Sequence, residues 1–360
     1  MRRYRSTGAH FRAPCALGKE ASIRHSDMFR NSMRDRASIN FVVIVLFVEL
    51  ITAYCIAGDA AFSSDGKKIY SITNIALNPA GKTYADQKVG PAVQEIDLEA
   101  KTIRLMPTAE LRGIACTADN KLFCTTAKSL YSFDPSSGAL KKIRDAESGT
   151  QFWRIAYNPK LDWIFVTTDD EKQPLFMFKD PAEWTPVRMR RHSYPSCLVF
   201  AKNGELFFAA YGDLWHGEIE REEEGTYSLI AYRYAPLATL ETQNTTPAEI
   251  GVKEIGVSRD AVYVELARMG GSGDGWFAQL ARPKLKRDAD GNFDIAYDPK
   301  ERLPVYQRAL QSLKILGEDF RAGQICVSPD ERQIYYVLHG KHWLVRNDKT
   351  EELHLTSISP

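Results

Sequence analysis

The chain has 360 residues, 44% apolar and 26% charged, an ordinary globular composition that excludes a disordered, collagenous or wholly membrane-embedded protein. Its formal charge of +1 hides an asymmetry: residues 1–38 carry nine Lys and Arg against three Asp and Glu, a local +6 that leaves −5 for the remainder. The folded part has no basic surplus of the kind that holds a phosphate backbone, so nucleic acid is not expected as a partner.

The basic segment runs directly into the apolar residues 41–48, then Glu49, then 50–57. A charged leader, an apolar core of signal-peptide length and small residues at Cys55 and Ala57 read as an export signal cleaved ahead of Gly58. Met28 and Met33 are alternative starts, and from Met33 the layout is that of a compact signal. The competing reading is an uncleaved anchor, because the run approaches the roughly 20 residues that cross a bilayer, with Glu49 costly at that depth. The expected organisation is a basic extension with signal peptide or membrane anchor over 1–57, and one domain over 58–360. The expected location is extracytoplasmic, secreted or periplasmic, with attachment through the apolar segment as the alternative.

From residue 59 onward one pattern recurs: a short apolar run, a polar turn and a second β-rich run. It first appears as Ala60-Ala61-Phe62-Ser63-Ser64-Asp65-Gly66 before Ile69-Tyr70-Ser71-Ile72. Two more β-type runs follow at 93–97 and 102–105. The second copy, Ile114-Ala115-Cys116-Thr117-Ala118-Asp119-Asn120 before Leu122-Phe123-Cys124, is followed by runs at 130–133 and 140–143, joined by Asp134-Pro135-Ser136-Ser137-Gly138. In that turn Pro presets φ and Gly accepts a positive φ. Further copies begin at Ile155, Leu198, Ile255 and Ile325, and their outer strands are expected at 175–178, 214–219, 227–234, 276–281, 293–297, 342–345 and 352–355. Only 306–317 has a helix-like apolar spacing.

Repeats at intervals of roughly 40 to 70 residues, each of about four short strands, are the signature of propeller blades. The fold class is all-β, a single β-propeller of four-stranded antiparallel blades, six by the visible hairpins, with a seventh able to hide in 267–320. Val327-Ser328-Pro329-Asp330 with Ile334-Tyr335-Tyr336-Val337, and Phe62-Ser63-Ser64-Asp65-Gly66 with Ile69-Tyr70, resemble the repeats of the YVTN and TolB-like β-propeller families. The resemblance covers nearly all of 59–356. It implies a propeller, and loosely an extracytoplasmic binding role.

Asp65, Asp119, Asp134 and Asp330 are explained by turn chemistry alone. Cys116, Cys124, Cys197 and Cys326 lie in or beside predicted strands without metal-ligand spacing and read as small buried apolar residues. A disulfide between Cys116 and Cys124 is the alternative in an oxidising compartment. Asp288-Ala289-Asp290-Gly291-Asn292 has alternate oxygen ligands around a Gly but lacks the bidentate Glu of a calcium loop, and reads as a hairpin turn.

Function is expected at the channel mouth, on the residues that lead into each innermost strand: Asp59, Arg112, Trp153, Arg154, Ser196, Lys253, Glu254 and Arg321. Arg112, Arg154, Lys253 and Arg321 together would make a cationic funnel for a carboxylate, sulfate or phosphate, unless each pairs with a neighbouring loop. The same face receives Tyr211, Asp213, His339 and His342 from loops between second and third strands, and His192 from another loop. His192, His339 and His342 could meet there with Asp213, but no HExxH, GxSxG or CxxC pattern supports a catalytic or metal role. No catalytic residue, metal or cofactor is therefore assigned. The expected function is an exported, non-catalytic propeller that binds a ligand or protein partner through its loop-rich face, decorated by insertions at 73–92, 220–226 and 267–320. The alternative is a lactonase-like hydrolase with a channel-bound divalent cation, as in the gluconolactonase/regucalcin family. That chemistry needs Glu and Asn where the channel-lining positions read here supply Arg and Lys.

Overall fold

The computed structural model describes residues 59–73, 91–189, 195–210, 212–222, 225–235, 237, 250–268, 275–284, 312–318, 323–338, 340–347 and 349–358. No α-helix occurs among them. The chain folds as consecutive antiparallel meanders. The first is β1 (Ala60–Phe62), β2 (Lys68–Thr73), β3 (Ala92–Asp97) and β4 (Thr102–Pro107). The second is β5 (Gly113–Cys116), β6 (Leu122–Thr125), β7 (Ser129–Asp134) and β8 (Ala139–Asp145). Next come β9 (Phe152–Asn158), β10 (Trp163–Thr168), β11 (Leu175–Phe178) and β12 (Thr185–Met189), then β13 (Cys197–Phe200), β14 (Leu206–Ala210), β15 (Asp213–Arg221) and β16 (Tyr227–Ala235). The last two are β17 (Ile250–Val257), β18 (Ala261–Arg268), β19 (Gly275–Ala281) and β20 (Lys314–Glu318), and β21 (Gly323–Val327), β22 (Gln333–Leu338), β23 (Lys341–Arg346) and β24 (Lys349–Glu352).

A final strand, β25 (Thr356–Ile358), returns to the beginning and pairs in parallel with β4, Thr356 opposite Thr102 and Ile358 opposite Arg104. The first strands of the meanders touch in the order β1, β5, β9, β13, β17, β21 and back to β1. This ring of inner strands with sheets radiating from it is a β-propeller arrangement.

The energetic reason lies between the sheets. Each apolar cluster is shared by two consecutive meanders: Ile72 and Val93 with Ile114 and Leu122, Phe123 with Ile155 and Ile164, Phe165 with Leu198 and Phe208. The series continues with Phe207 against Ile255 and Val262 and Tyr263 against Ile325 and Tyr336. It closes with Ile69 and Ile96 against Tyr335 and Leu344. A sheet covered on both faces needs apolar side chains at successive positions, which is why β14 (Leu-Phe-Phe-Ala-Ala) is buried throughout and reads as a continuous run.

Two glycines let the inner strands approach. A Cβ on Gly113 would lie 2.9 Å from Ile155 Cγ2, and one on Gly256 would lie 2.5 Å from Ile325 Cγ2, both on the next inner strand. A repeated device also stiffens two meanders: Trp215 and Trp343 each donate Nε1–H to a second-strand carbonyl, Ala210 and Leu338, at 3.3 Å. Gly212 and Gly340, at φ +80° and +69°, make the preceding tight turns possible.

The turn aspartates act as the pattern implies. Ser63 donates to Asp65 at 2.6 Å, Thr117 to Asp119 at 2.5 Å and Ser328 to Asp330 at 2.5 Å, while Asp65 and Asp330 also accept backbone N–H groups two residues on. All four cysteines among the described residues are free thiols.

The sheets depart from the expected layout at three places. β12 and β16 pair in parallel, Val187 opposite Tyr227, so two meanders join in one eight-stranded sheet instead of two separate blades. The cause is the long β15–β16 hairpin, nine residues in each strand, whose far end reaches the outer edge of the preceding meander. The end of the helix-like stretch, Lys314–Glu318, is strand β20, because its residues pair with β19 and the cross-strand ladder overrides a local 3.6-residue spacing. The run at 352–355 splits into the end of β24 and a connection, and the terminal strand lies on β4. The strand expected at 293–297 and the turn expected at 288–292 lie outside the described residues.

Candidate functional site

The inner strands enclose a cavity of about 380 Å³ lined by residues of β1, β5, β9, β13, β17 and β21. At one end its rim is formed by hairpin-turn residues, including exposed Ala118, Pro159, Lys202 and Pro329. The walls are apolar: Ile114, Ile155, Leu198, Ile255 and Ile325. The far end holds Asp59, Arg154, Glu254 and the Cys197 thiol.

These four share one register. Aligning the hairpins on Ala60, Ile114, Ile155, Leu198, Ile255 and Ile325 puts Asp59, Gly113, Arg154, Cys197, Glu254 and Gln324 in a single column, the position just before each apolar run. Because the inner strands pack side by side, that column becomes one layer across the channel. Arg154 is buried, and its Nη2 donates to Glu254 Oε1 at 2.8 Å, from β9 to β17. Its Nη1 donates to the Arg112 carbonyl at 3.0 Å. Asp59 accepts the N–H of Ala60 at 3.0 Å and of Ile114 at 3.4 Å. One guanidinium thus bridges strands that sequence separates by 100 residues.

The electrostatics of this layer are unbalanced. Burial pushes the Asp59 carboxyl up to about 6, against Arg154 and the two backbone N–H groups that favour its charge. Glu254 is pushed well above the carboxylate range, first by burial and then by Asp59 and Glu265, with Arg154 and Lys253 opposing. Asp59 keeps a little accessible surface while Glu254 has almost none, so the stronger effect on Glu254 is the expected one. Burial also pushes the Cys116 thiol up to about 12 and those of Cys197 and Cys326 up. All three line the cavity as protonated, weakly polar groups.

The residues read as a channel-mouth set are distributed unevenly. Arg154 and Glu254 meet in the layer. Arg112 reaches the same end, where its guanidinium lies 5.2 Å from the Trp153 ring and donates to the Phe152 carbonyl at 3.2 Å. Lys253 is 3.8 Å from the buried Glu265 carboxylate. Asp213 pairs with Arg233 at 3.3 Å, away from the cavity. His342 is in the core between the last meander and the first, not at the channel mouth: its Nδ1 and the Tyr335 hydroxyl are 2.7 Å apart, and burial lowers it to about 4. It lies on the third strand, facing the adjoining sheet, so its position beside a loop misled. His192, Tyr211, Arg321 and His339 lie outside the described residues, as do residues 74–90, 190–194, 238–249, 269–274 and 319–322.

A second polar cluster went unread in the sequence. Buried His216 has Nδ1 2.8 Å from the Tyr232 hydroxyl and Nε2 3.5 Å from Glu205. Glu205 pairs with Arg282 at 3.1 Å, and Arg282 with Glu331 at 3.0 Å. Burial lowers His216 and opposes ionisation of Glu205, yet Glu205 sits at about 2. Glu205 is drawn down first by its hydrogen bond to His216 and the charge of that ring, and then by its hydrogen bonds to Arg282 and Asn203. The partners lie in three meanders, so no local motif marks them.

Among the described residues no group of three or more His, Cys, Asp and Glu is arranged to hold a metal ion. No protein-family model matches the chain, and no curated protein matches it. Several solved structures are similar in outline. A gluconolactonase from Xanthomonas campestris is 12% identical over 82% of this chain and 86% of its own, with a TM-score of 0.48. An auxiliary nutrient-binding protein from Bacteroides thetaiotaomicron is 10% identical over 78% and 66%, with a TM-score of 0.47. TolB from Acinetobacter baumannii is 15% identical over 65% and 52%, with a TM-score of 0.38. At these levels the likeness says nothing about activity. The propeller assignment rests on this chain's own sheets, which pack as repeated meanders around a common channel.

Proposed function

We propose that the protein is an exported, non-catalytic six-bladed β-propeller that binds a small molecule in its central channel. The observation that carries the reading is the cavity, about 380 Å³, within the range of small-molecule sites and combining apolar walls with a few convergent charged groups. Six blades are supported by the ring of six inner strands, each followed by three more, with β12 and β16 as a bridge between two blades. Export is supported by the basic leader and apolar run of residues 1–57.

The test is a channel block. Ala61 lines the cavity and is half-buried, so Ala61→Trp fills the space without opening the blade cores. A small-molecule panel screened by thermal shift should give ligands that raise the melting temperature of the wild type and not of Ala61→Trp. Ligands that stabilise both proteins equally would put the site elsewhere.

A hydrolytic reading draws on one observation, two carboxyl groups at the inner end of a cavity, one of them at about 6 and so able to exchange a proton near neutrality. Turnover of simple lactones and esters, with and without added divalent cations, separates it from plain binding.

A further inference from the structure

The chemistry of the buried layer selects a ligand class. Charged groups converge there from several strands: Asp59 ahead of β1, Arg154 on β9, Glu254 and Lys253 on β17, and Glu265 on β18. Of these, Asp59, Arg154 and Glu254 line the cavity, and the Cys197 and Cys326 thiols beside them add no charge. Two carboxyls thus stand beside one guanidinium in a place that water solvates poorly.

The two carboxyls face the cavity in a specific way. Glu254 is 3% accessible, and its Oε1 is taken by Arg154, but its Oε2 has no hydrogen-bond partner among the described residues. Asp59 carries only one short hydrogen bond, to its neighbour Ala60, and a long one to Ile114. Arg154, by contrast, is already engaged by Glu254 and the Arg112 carbonyl. An incoming anion would have to strip Arg154 from Glu254 and leave a bare buried carboxylate, which is costly. Calcium or magnesium would need about six oxygens around it, whereas the walls here are chiefly isoleucine and leucine.

We propose that the channel ligand is an organic monocation, a small primary or secondary ammonium whose N–H groups donate to Glu254 Oε2 and Asp59 while its hydrocarbon body lies against Ile114, Ile155, Ile255 and Ile325. This rests on reading the channel as the ligand site. A cation bound beside the two carboxyls favours their charged forms, so the carboxyl that retains a proton in the free protein releases it on binding. The amine stays protonated across the neutral range, and affinity therefore rises from pH 5 to pH 8.

The experiment is calorimetry with three probes of one shape and different charge: phenethylamine, 2-phenylethanol and phenylacetate, at pH 7.5 in phosphate and in Tris. Phenethylamine should bind at least tenfold more tightly than the other two, and the difference in heat between the buffers should report release of up to about one proton. Glu254→Gln should weaken phenethylamine at least tenfold. Asp59→Asn provides a second variant should loss of Glu254 impair folding, and should weaken it in the same direction. Tighter or equal binding of the alcohol or the carboxylate, abolished by Ala61→Trp, would overturn the cation class while leaving the channel site standing. Undiminished phenethylamine binding by both acid variants, or no binding of phenethylamine by the wild type, would overturn it as well. Failure of the wider panel as well would remove the channel site itself.

Discussion

Arg154 and Glu254 form an ion pair across the channel, Nη2 to Oε1 at 2.8 Å, with both side chains almost wholly buried. The pair joins the third and fifth inner strands without sequence proximity, and it has a sharp energetic consequence. Removing one partner leaves the other charge without compensation in a poorly hydrated site. Arg154→Met should destabilise the protein by about 3–5 kcal/mol. The double variant Arg154→Met/Glu254→Leu should recover most of that loss. Urea denaturation of the wild type, both single variants and the double variant checks this, and additive losses would mean that the two residues do not act as a pair.

Ring closure gives a second prediction. β25 lies on β4, and Ile69 and Ile96 pack against Tyr335 and Leu344, so the two ends of the domain hold each other. Deleting residues 356–360 should lower the melting temperature while leaving one cooperative transition. Deleting everything from Gly323 should expose faces of the neighbouring sheets and yield aggregated protein. A soluble, cooperatively folded product of the longer deletion would contradict a closed ring.

The close approach of inner strands can be probed at Gly256. Its missing Cβ would stand 2.5 Å from Ile325 Cγ2, so Gly256→Val should cost about 1–3 kcal/mol through overpacking. Gly256→Val combined with Ile325→Ala, which vacates that space, should be less damaging than the sum of the two changes. Strict additivity in thermal denaturation would argue against the contact.

Two buried histidines set the acid limb of stability. His342 is held down to about 4 by burial, whereas in the unfolded chain it takes its proton near 6.5. Between these values the unfolded state binds more protons, so stability rises as pH climbs from 4 to 6.5, by up to about 3 kcal/mol for His342. His216 contributes in the same direction. Asp59 opposes them: its folded value of about 6 exceeds the unfolded one near 4, so its contribution falls across pH 4 to 6. Chemical denaturation from pH 4 to 7.5 should therefore show a shallower acid limb in His342→Gln and a steeper one in Asp59→Asn. Unchanged slopes would mean that neither group titrates differently on folding.

The extent to which the sequence reveals this molecule depends on how local the signal is. The hairpins were legible because each needs only its own apolar runs and a turn such as Ser328-Pro329-Asp330. The column that holds Asp59, Arg154 and Glu254 was also visible in principle, since the same alignment of hairpins fixes it. The pairing of Arg154 with Glu254 was not, because a charge column reads as a cationic mouth until the strands close into a ring and bring Glu254 to Arg154. The same limit hid the Glu205–Arg282–Glu331 chain, which exists only between meanders. It misplaced His342 too, since a residue beside a turn gives no sign of the neighbouring sheet that covers it.

The central claim is that the channel holds a small molecule against this layer, and co-crystallisation tests it most directly. Crystals grown with phenethylamine, or with whichever compound the panel selects, should show ligand density inside the ring of inner strands, within hydrogen-bond distance of Glu254 Oε2 and Asp59. Density confined to the outer loops, with the channel holding only ordered water, would contradict the account.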